Sequence, residues 1–417
     1  MLVSICDLAQ DASVEDYVLM HSRGKKSLVL GPAAGQVLDE AIKVLQTVPR
    51  WKEAFPTEVI QKRIIDSIFD SETDDEAVDR LTKGLEGDCA EIKAYVAFSG
   101  FHIPPEAKIR FGEHSLSVLG EARFEEEVIG RLDQHLAASP QAEEESAKER
   151  ARHRETLKKY PNVPILVVQY YGSIDGARDH IEPIANRVAL FMQFCIGALT
   201  DRHFDNPPIV DYRGRFSGDF MALMPVMTVE FGSLTFPNLR GNPWGCTITA
   251  DNLKVLVDMG ILGLADDFLA PHGADDAIDS LLVRAMCAFA EGERAIGLLT
   301  RISAYVTSAE ILFSRQGLVT KTVTTGLAAA TARNKDEFEK TLDLARFIYR
   351  QRSDAVHRGI EPTATFVARK LALEAILGMI KLRESLTNRE HIQKWLDKHM
   401  TDVETECPRC GALIVPE

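Results

Sequence analysis

The segment Thr365–Leu382 is apolar on nearly every side of the helix that its residue spacing predicts. Its apolar residues fall on different faces and include Phe366, Leu371, Leu373, Ile376, Leu377, Met379 and Ile380. A helix that is apolar all round must be buried all round, so it either lies between other helices or supplies an interface to a partner. Both alternatives require neighbouring helices.

The last third of the chain supplies such neighbours. Apolar residues recur at helical spacing over residues 277–289, 294–313, 319–332 and 335–357. Asn334, followed three residues later by Glu337, has the spacing of a capping box, which predicts a helix that begins there. We therefore predict an antiparallel bundle of four to five helices over residues 271–400, after a boundary at Ala270–Gly273.

The residues before this boundary mix helical and strand patterns and predict an α+β region. Helices are predicted over residues 37–51, 58–69, 77–85 and 179–199. Strands are predicted over residues 93–101, 163–171, 209–212, 220–231 and 246–249, with a hairpin over 109–118. We divide this part into an N-terminal region (1–138), a charged linker or exposed helix (139–159) and a middle sensor or regulatory region (160–270). Residues 401–417 form a tail.

The predicted helix over 335–357 places a permanent cation where its spacing predicts an apolar residue. The apolar series runs through Phe338, Leu342, Ala345 and Tyr349, and then reaches Arg352 and Val356. A guanidinium at a packed position costs several kcal/mol unless it is paired or faces a wet cleft. A buried ion pair and an arginine that extends to solvent along its apolar stem are the structural alternatives to a functional role.

His357 follows Arg352 by five residues, which separates the two side chains by about 140° around an ideal helix. They share one site only if the helix ends near the histidine, and Gly359 and Pro362 predict that ending. An arginine fork that holds phosphate, beside a side chain that exchanges protons near neutral pH, is sufficient for metal-free cleavage of RNA through its 2′-hydroxyl. DNA lacks that hydroxyl and should resist.

The letters around this pair resemble the YxxRSDxVHxG signature of HEPN-domain ribonucleases, particularly their Apea-like branch. The matching residues are Tyr349, Arg352, Ser353, Asp354, Val356, His357 and Gly359. The resemblance covers about residues 275–400. It implies a homodimer through the bundle, with the two motifs meeting across a symmetric cleft. It also implies that His357 transfers protons or orients the 2′-hydroxyl, that Arg352 stabilises charge on the phosphate, and that Ser353 or Asp354 positions the imidazole.

Other residues near the motif are candidates for contacts with the substrate. Arg346, Arg350 and Arg358 crowd the same helix and predict a local RNA-binding patch, with an ordinary solvated face as the alternative. Tyr349 either stacks on a base or fills the core. Glu310 lies where the family often has a glutamate, which implies support for Arg352; a solvated surface carboxylate is the alternative.

Composition limits the partners of the chain. A net charge of −14 excludes a general nucleic-acid coating protein, which needs a broad basic face. No run of eighteen apolar residues and no signal-peptide pattern occurs, and the seven cysteines are scattered, which is typical of reduced thiols. We therefore expect a cytoplasmic protein without a membrane partner.

Cys407 and Cys410 form a C-x2-C pair in the tail, which is half of a structural zinc site. Zinc would need His399, a distant cysteine or the same pair from another subunit, and the alternative is a frayed tail without metal. Catalysis by the Arg352–His357 pair needs no cofactor.

The sequence thus predicts a metal-independent HEPN-type endoribonuclease. By family analogy it is an antiphage effector that acts by abortive infection, with an N-terminal region that senses an unknown trigger. Two alternatives remain open. One is a catalytically inactive HEPN module that binds RNA, a nucleotide or a protein. The other is a metal-dependent DNA nuclease built on the E-x-K pattern of Glu91 and Lys93.

Overall fold

A computed structural model describes most of the chain outside its first residues and two long segments. The described residues are 19–23, 26–30, 32–47, 55–126, 164–200, 208–212, 222–223, 246–269, 276–401, 405–406 and 413–414, with a few single-residue gaps, and the isolated positions 147, 151 and 154. No helix in this part of the chain has the length and apolarity that crossing a lipid bilayer requires.

Three N-terminal helices form a small core of their own. They are α1 (Pro32–Gln46), α2 (Thr57–Phe69) and α3 (Asp74–Asp88), and they follow an antiparallel pair, β1 (Leu19–Arg23) and β2 (Lys26–Leu30). Their buried apolar side chains pack together as a group that includes Leu38, Ile42, Ile60, Ile64, Leu81 and Leu85. All three helices overlap the predicted helical segments, which confirms those predictions.

A five-stranded antiparallel sheet follows these helices. The strands of this part of the chain are β3 (Ala90–Ala97), β4 (Phe101–His102), β5 (Lys108–Phe111), β6 (His114–Val118), β7 (Pro164–Gly172), β8 (Ala222–Leu223) and β9 (Cys246–Thr247). Five of them form the sheet, in the order β5-β6-β7-β3-β8. The predicted hairpin is confirmed as β5–β6, and Gly112 adopts the positive φ of 59° that its turn requires. Strands from both sides of residues 139–159 thus share one sheet.

A long helix connects the sheet to the helical region. This helix is α5 (Ile174–Leu199), and it follows the short α4 (Glu121–Phe124) and precedes α6 (Ala250–Asp258). Phe191 on α5 packs edge-on against Phe111 of the sheet, with ring centroids 5.3 Å apart. One turn further, Phe194 packs against Phe289 of the helical region at 5.5 Å. The sheet and the helical region therefore share one continuous core.

Six helices make up the C-terminal region. They are α7 (Ile278–Arg294), α8 (Leu298–Phe313), α9 (Val319–Thr331), α10 (Lys335–Arg358), α11 (Thr365–Leu382) and α12 (Arg389–Thr401). An antiparallel pair, β10 (Thr405–Glu406) and β11 (Leu413–Ile414), follows. The coarse prediction of an N-terminal α/β region followed by a mostly helical region is confirmed.

The apolar helix α11 lies inside this helical region and contacts α7, α8, α9 and α10. Leu371, Ile376 and Met379 are buried within the single chain. A Cβ on Gly378 would lie 2.3 Å from the carbonyl oxygen of Ala330 on α9, so the two helices approach each other at a position that only glycine allows. Of the two alternatives for this helix, burial between helices of its own chain accounts for its apolar surface.

Two strand predictions in the middle region have different outcomes. One is wrong at its described residues, and the other lies largely outside the described part. Ile209, Val210 and Tyr212 were predicted within a strand and are not in one. Val210 and Tyr212 are nevertheless buried. Gln193 of α5 holds this segment, since its side chain donates to the carbonyl of Pro208 and accepts from the N–H of Val210. An extended apolar run that packs on a helix has the same pattern as a strand. Of the predicted strand over 220–231, only β8 lies among the described residues.

Candidate active site

Local sequence signals set both ends of α10, the helix with the arginine–histidine motif. The Asn334 side chain accepts the N–H of Glu337 at 2.9 Å, and Glu337 accepts the N–H of Arg333 at 2.9 Å. At the other end, Gly359 adopts the left-handed conformation with φ 67°, and its N–H bonds to the carbonyl of Asp354. The predicted N-cap and the predicted termination are confirmed, and His357 occupies the last helical turn.

Arg352 lies on the packed face of α10. Ala345, Ile348 and Ala355 are buried along this face, and Arg352 falls between the last two. Its side chain is half-buried and its Nε is fully enclosed. Within the described part of the chain this Nε has no hydrogen-bond partner, and no ion pair joins Arg352 to a carboxylate. The prediction of a guanidinium in a helix seam is confirmed.

The rest of the predicted apolar series needs correction. Leu342 and Ala345 are buried as predicted, whereas Val356 is 47% exposed. Val356 has the predicted spacing, but the adjacent Ala355 faces the neighbouring helices instead. Ile348 and Ala355, which the series omitted, are buried in its place. The packed face is therefore slightly rotated from the predicted one.

Tyr349 joins α10 to α8 next to Arg352. Its hydroxyl donates to Oε1 of Glu310, on α8, over 2.5 Å. Burial, followed by the hydrogen bond to Glu310 and its negative charge, raises the pKa of Tyr349 to about 12. The charge of Arg352 and the Thr320 side chain, on α9, lower the pKa of the tyrosine, but by less than these other causes raise it. Glu310 thus contacts Tyr349 rather than Arg352, and sequence reasoning had not identified Thr320.

The residues after Arg352 point in different directions. His357 is exposed and makes no hydrogen bond or ion pair with any residue that the structure describes. Asp354 accepts from Arg358 at 3.2 Å, one turn further along, and not from the imidazole. Ser353 is half-buried. Because α10 stays helical through Arg358, Arg352 and His357 keep their separation of about 140° within one chain.

The predicted basic patch lies on the outer side of α10. Arg346, Arg350 and Arg358 are exposed. Arg346 pairs with Asp343 at 3.3 Å and Arg358 with Asp354, whereas Arg350 has no ion pair among the residues that the structure describes. Exposed pairs of this kind contribute about 0–1 kcal/mol, so a phosphate competes with them at little cost.

A hydrogen bond from the following loop fixes the end of α10. The side-chain oxygen of Gln351 accepts from the N–H of Thr363 at 3.1 Å and from its hydroxyl at 3.2 Å. This contact holds the loop after Gly359 against the last turns of the helix. No local sequence signal predicts it, because the two residues are 12 positions apart and neither has capping spacing.

A second arginine lies in the core of the helical region and differs from Arg352 in its partners. Arg369, on α11, forms a two-point ion pair with Glu293 of α7 at 2.8 and 2.9 Å. It also donates to the carbonyl of Gly197 at 3.0 Å, at the C-terminal end of α5. Tyr305 donates to the same carboxylate at 2.6 Å. The sequence analysis overlooked this cluster, although an arginine within an apolar helix was a visible signal.

The predicted metal site in the tail cannot be placed, because Cys407 and Cys410 lie outside the described residues. His399, the suggested further ligand, packs against the rings of Trp395 and Phe338, with centroids 4.9 and 6.3 Å away. No group of three or more histidine, cysteine, aspartate or glutamate side chains with metal-binding geometry occurs in the described part. In the E-x-K pattern, Lys93 lies over the ring of Tyr95 at 5.7 Å.

The candidate site is a half-buried cation without an acceptor among the described residues, beside a tyrosine–glutamate hydrogen bond, on a helix that ends just after an exposed histidine. This arrangement can hold an anion at Arg352 and exchange a proton at His357. No family model matches the chain, and neither the curated proteins nor the solved structures include a match.

Proposed function

We propose that the chain is a metal-independent endoribonuclease of the HEPN type, with Arg352 and His357 as its catalytic residues. The observation that supports this best is the enclosed Nε of Arg352, which has no acceptor among the described residues. Leaving a buried polar group without a partner costs about 1–3 kcal/mol, and more for a charged group. In the same bundle, Arg369 has protein acceptors for its guanidinium, the Glu293 carboxylate and the Gly197 carbonyl. A phosphodiester would supply the missing acceptors at Arg352.

The proposed reaction uses the 2′-hydroxyl of the RNA as nucleophile. Its oxygen attacks the adjacent phosphorus while its proton passes to a neutral imidazole. The bond from phosphorus to the 5′-oxygen breaks, and a protonated imidazole returns a proton to that leaving oxygen. The products are a 2′,3′-cyclic phosphate and a 5′-hydroxyl. Arg352 stabilises the charge that develops on the non-bridging oxygens.

A homodimer is part of the proposal. One copy of α10 directs Arg352 and His357 about 140° apart, so a second copy of the motif is needed for both groups to approach one phosphate. Because α11 is buried inside its own chain, the interface must use another surface. Leu344 and Phe347 are 37% and 39% exposed on the outer side of α10, one turn apart, and are the best candidates.

Cleavage of total RNA in the presence of EDTA tests the proposed reaction. We expect cyclic phosphate products from wild type and at least about a 100-fold loss in His357→Ala, because general acid–base catalysis is removed. Arg352→Lys should fail similarly, since an ammonium lacks the planar fork. Arg315→Lys, at an exposed arginine outside α10, is the control for the exchange of arginine for lysine, which leaves the net charge unchanged. Chelator-sensitive activity, or full activity in His357→Ala, would refute the mechanism.

Binding of the same RNA without cleavage would instead favour the alternative of an inactive HEPN module.

The interface is tested by Phe347→Glu. Light scattering should show a dimer for wild type and a monomer for this variant, with unchanged thermal unfolding because Phe347 is at the surface. Ile376→Glu, by contrast, should prevent folding, since Ile376 is 1% exposed inside the bundle. A wild-type monomer that cleaves RNA at micromolar concentration would exclude the dimer.

The proposed biological role is that of a cytoplasmic antiphage effector whose N-terminal region senses a trigger. The supporting contact is the bond from Arg369 to the Gly197 carbonyl, through which a movement of α5 would reach the bundle. Growth of phage-infected cells that express wild type or His357→Ala tests this role. If growth stops in both cultures, or in neither, the nuclease activity is not the cause of defence.

A further inference from the structure

The carboxylate of Glu310 and the guanidinium of Arg352 both act on the hydroxyl of Tyr349, yet they do not bond to each other. Glu310 accepts the tyrosine proton over 2.5 Å, and Arg352 acts on the same hydroxyl through its charge. Neither residue has an ion pair in the part of the chain that the structure describes. Arg352 follows Tyr349 by three residues on α10, which places the two side chains on one face of the helix, so a carboxylate held at Tyr349 is a candidate partner for the guanidinium.

The cause of their separation is the hydrogen bond from the tyrosine hydroxyl. The hydroxyl has one hydrogen, and it donates this hydrogen to Glu310. The O–H···O distance of 2.5 Å is that of a strong bond to an ionised acceptor. Because the hydroxyl stays protonated far above neutral pH, Glu310 always has a donor in the folded protein.

We propose that Tyr349 is a positioning residue that holds the Glu310 carboxylate away from Arg352 and so keeps the guanidinium available for a phosphodiester of RNA. The inference rests on the proposed nuclease function. It differs from the sequence-based expectations, in which Tyr349 stacks on a base and Glu310 supports Arg352 directly. Without the tyrosine, Glu310 would compete with the RNA phosphate for Arg352. The hydrogen bond from Tyr349 prevents this competition.

Removal of the hydroxyl in Tyr349→Phe leaves Glu310 without its donor. The cation whose charge acts on Tyr349 is Arg352, which has no ion pair among the described residues, so we expect the two side chains to pair and the arginine to lose its capacity for phosphate. Substitution of Glu310 by glutamine in the same protein removes the competing charge. The double variant Tyr349→Phe/Glu310→Gln should therefore recover what Tyr349→Phe loses.

The test compares wild type, Tyr349→Phe, Glu310→Gln and the double variant. Binding is measured with a fluorescent, fully 2′-O-methylated RNA, which cannot be cleaved, and turnover with the unmodified RNA. We expect Tyr349→Phe to lose about tenfold or more in both, and the double variant to return to the level of Glu310→Gln alone. A double variant that stays as impaired as Tyr349→Phe would overturn the proposal, because the tyrosine would then act by packing or stacking. Tyr171→Phe, at an exposed tyrosine of β7, is the control and should equal wild type.

A second readout does not depend on RNA. The rate at which phenylglyoxal modifies Arg352 is followed by mass spectrometry of the peptide that contains it, since pairing with a carboxylate slows this reaction. Arg352 should react several-fold more slowly in Tyr349→Phe and recover in the double variant. If wild type neither binds nor cleaves RNA but this pattern holds, the nuclease proposal fails and the role of Tyr349 stands. If RNA is cleaved but the rates are equal, the role of Tyr349 is wrong.

Discussion

Arg369 and Arg352 lie in the same bundle and differ in what surrounds the guanidinium. Arg369 has a side chain 12% exposed, with two bonds to Glu293 and others to the end of α5. Arg352 is half-buried, and its enclosed Nε has no acceptor in the described part. The first arginine joins helices of one chain. The second has no such partner among the described residues, which is why we propose it as the phosphate-binding residue.

The two tyrosine–glutamate contacts repeat this difference. Tyr305 donates to Glu293, which is also bound by Arg369, whereas Tyr349 donates to Glu310, which forms no ion pair with any described residue. Each hydroxyl is held by a carboxylate, and in the described part only the first carboxylate is paired with a cation. The comparison teaches that an arginine, a tyrosine and a glutamate can occur together in the bundle with or without an ion pair.

The largest expected effect on stability follows from removal of Arg369, the arginine that is paired with a carboxylate. Arg369→Ala leaves Glu293, 4% exposed, as an uncompensated buried charge and should lower the free energy of unfolding by about 3–5 kcal/mol. Arg352→Ala should cost about 1 kcal/mol or less, since mainly packing of its apolar stem is lost. Urea unfolding of both variants measures the difference. Equal losses would mean that both arginines are structural.

A smaller effect is expected from the tyrosine hydroxyls. Tyr305→Phe removes a buried bond to a charged acceptor and should cost about 1.5–3 kcal/mol. Tyr349→Phe should cost less, about 0.5–1 kcal/mol, because Glu310 is half-buried and remains partly hydrated. Thermal unfolding ranks the two variants. The reverse order would contradict the assignment of the Tyr305 cluster as the structural one.

The end of α10 offers a third comparison. Gly359→Ala forces a residue with a Cβ into φ 67° and should cost about 1 kcal/mol, while loosening the turn that contains His357. Gly84→Ala, inside α3 with open space around it, should instead stabilise by about 0.5–1 kcal/mol. Hydrogen exchange of the last turn of α10 detects the loosening. Unchanged exchange there in Gly359→Ala would show that Gly359 does not set the end of the helix.

The smallest effect is a dependence on alkaline pH. The pKa of Tyr349 is raised from 10 to about 12, so the folded protein keeps this proton after the unfolded chain has lost it. The stabilisation is therefore complete below pH 10 and is lost as the pH rises through about 12. Stability measured from pH 9 upwards should fall less steeply in Tyr349→Phe than in wild type. Parallel curves would show that this hydroxyl is not held by Glu310.

Much of the fold followed from local patterns. The five helices predicted over residues 277–382 were found, since apolar spacing and the caps at Asn334 and Gly359 act within a few residues. The middle region was harder, because a buried extended segment such as that around Val210 has the apolar content of a strand without its ladder. The prediction for Val356 was wrong because the packed face of α10 is rotated towards Ala355, and spacing alone does not decide which of two adjacent positions faces the neighbouring helices.

The sequence by itself determined that an arginine occupies a packed position on α10 and that the helix ends just after His357, because both depend on residues within two turns. It did not distinguish Arg352 from Arg369, since each is an arginine in an otherwise apolar stripe. Tertiary structure decided that difference through contacts between distant residues. Glu293 and Arg369 are 76 positions apart, and Glu310 and Tyr349 are 39 apart. Which carboxylate meets which cation depends on how the helices pack, and local spacing contains no information about that.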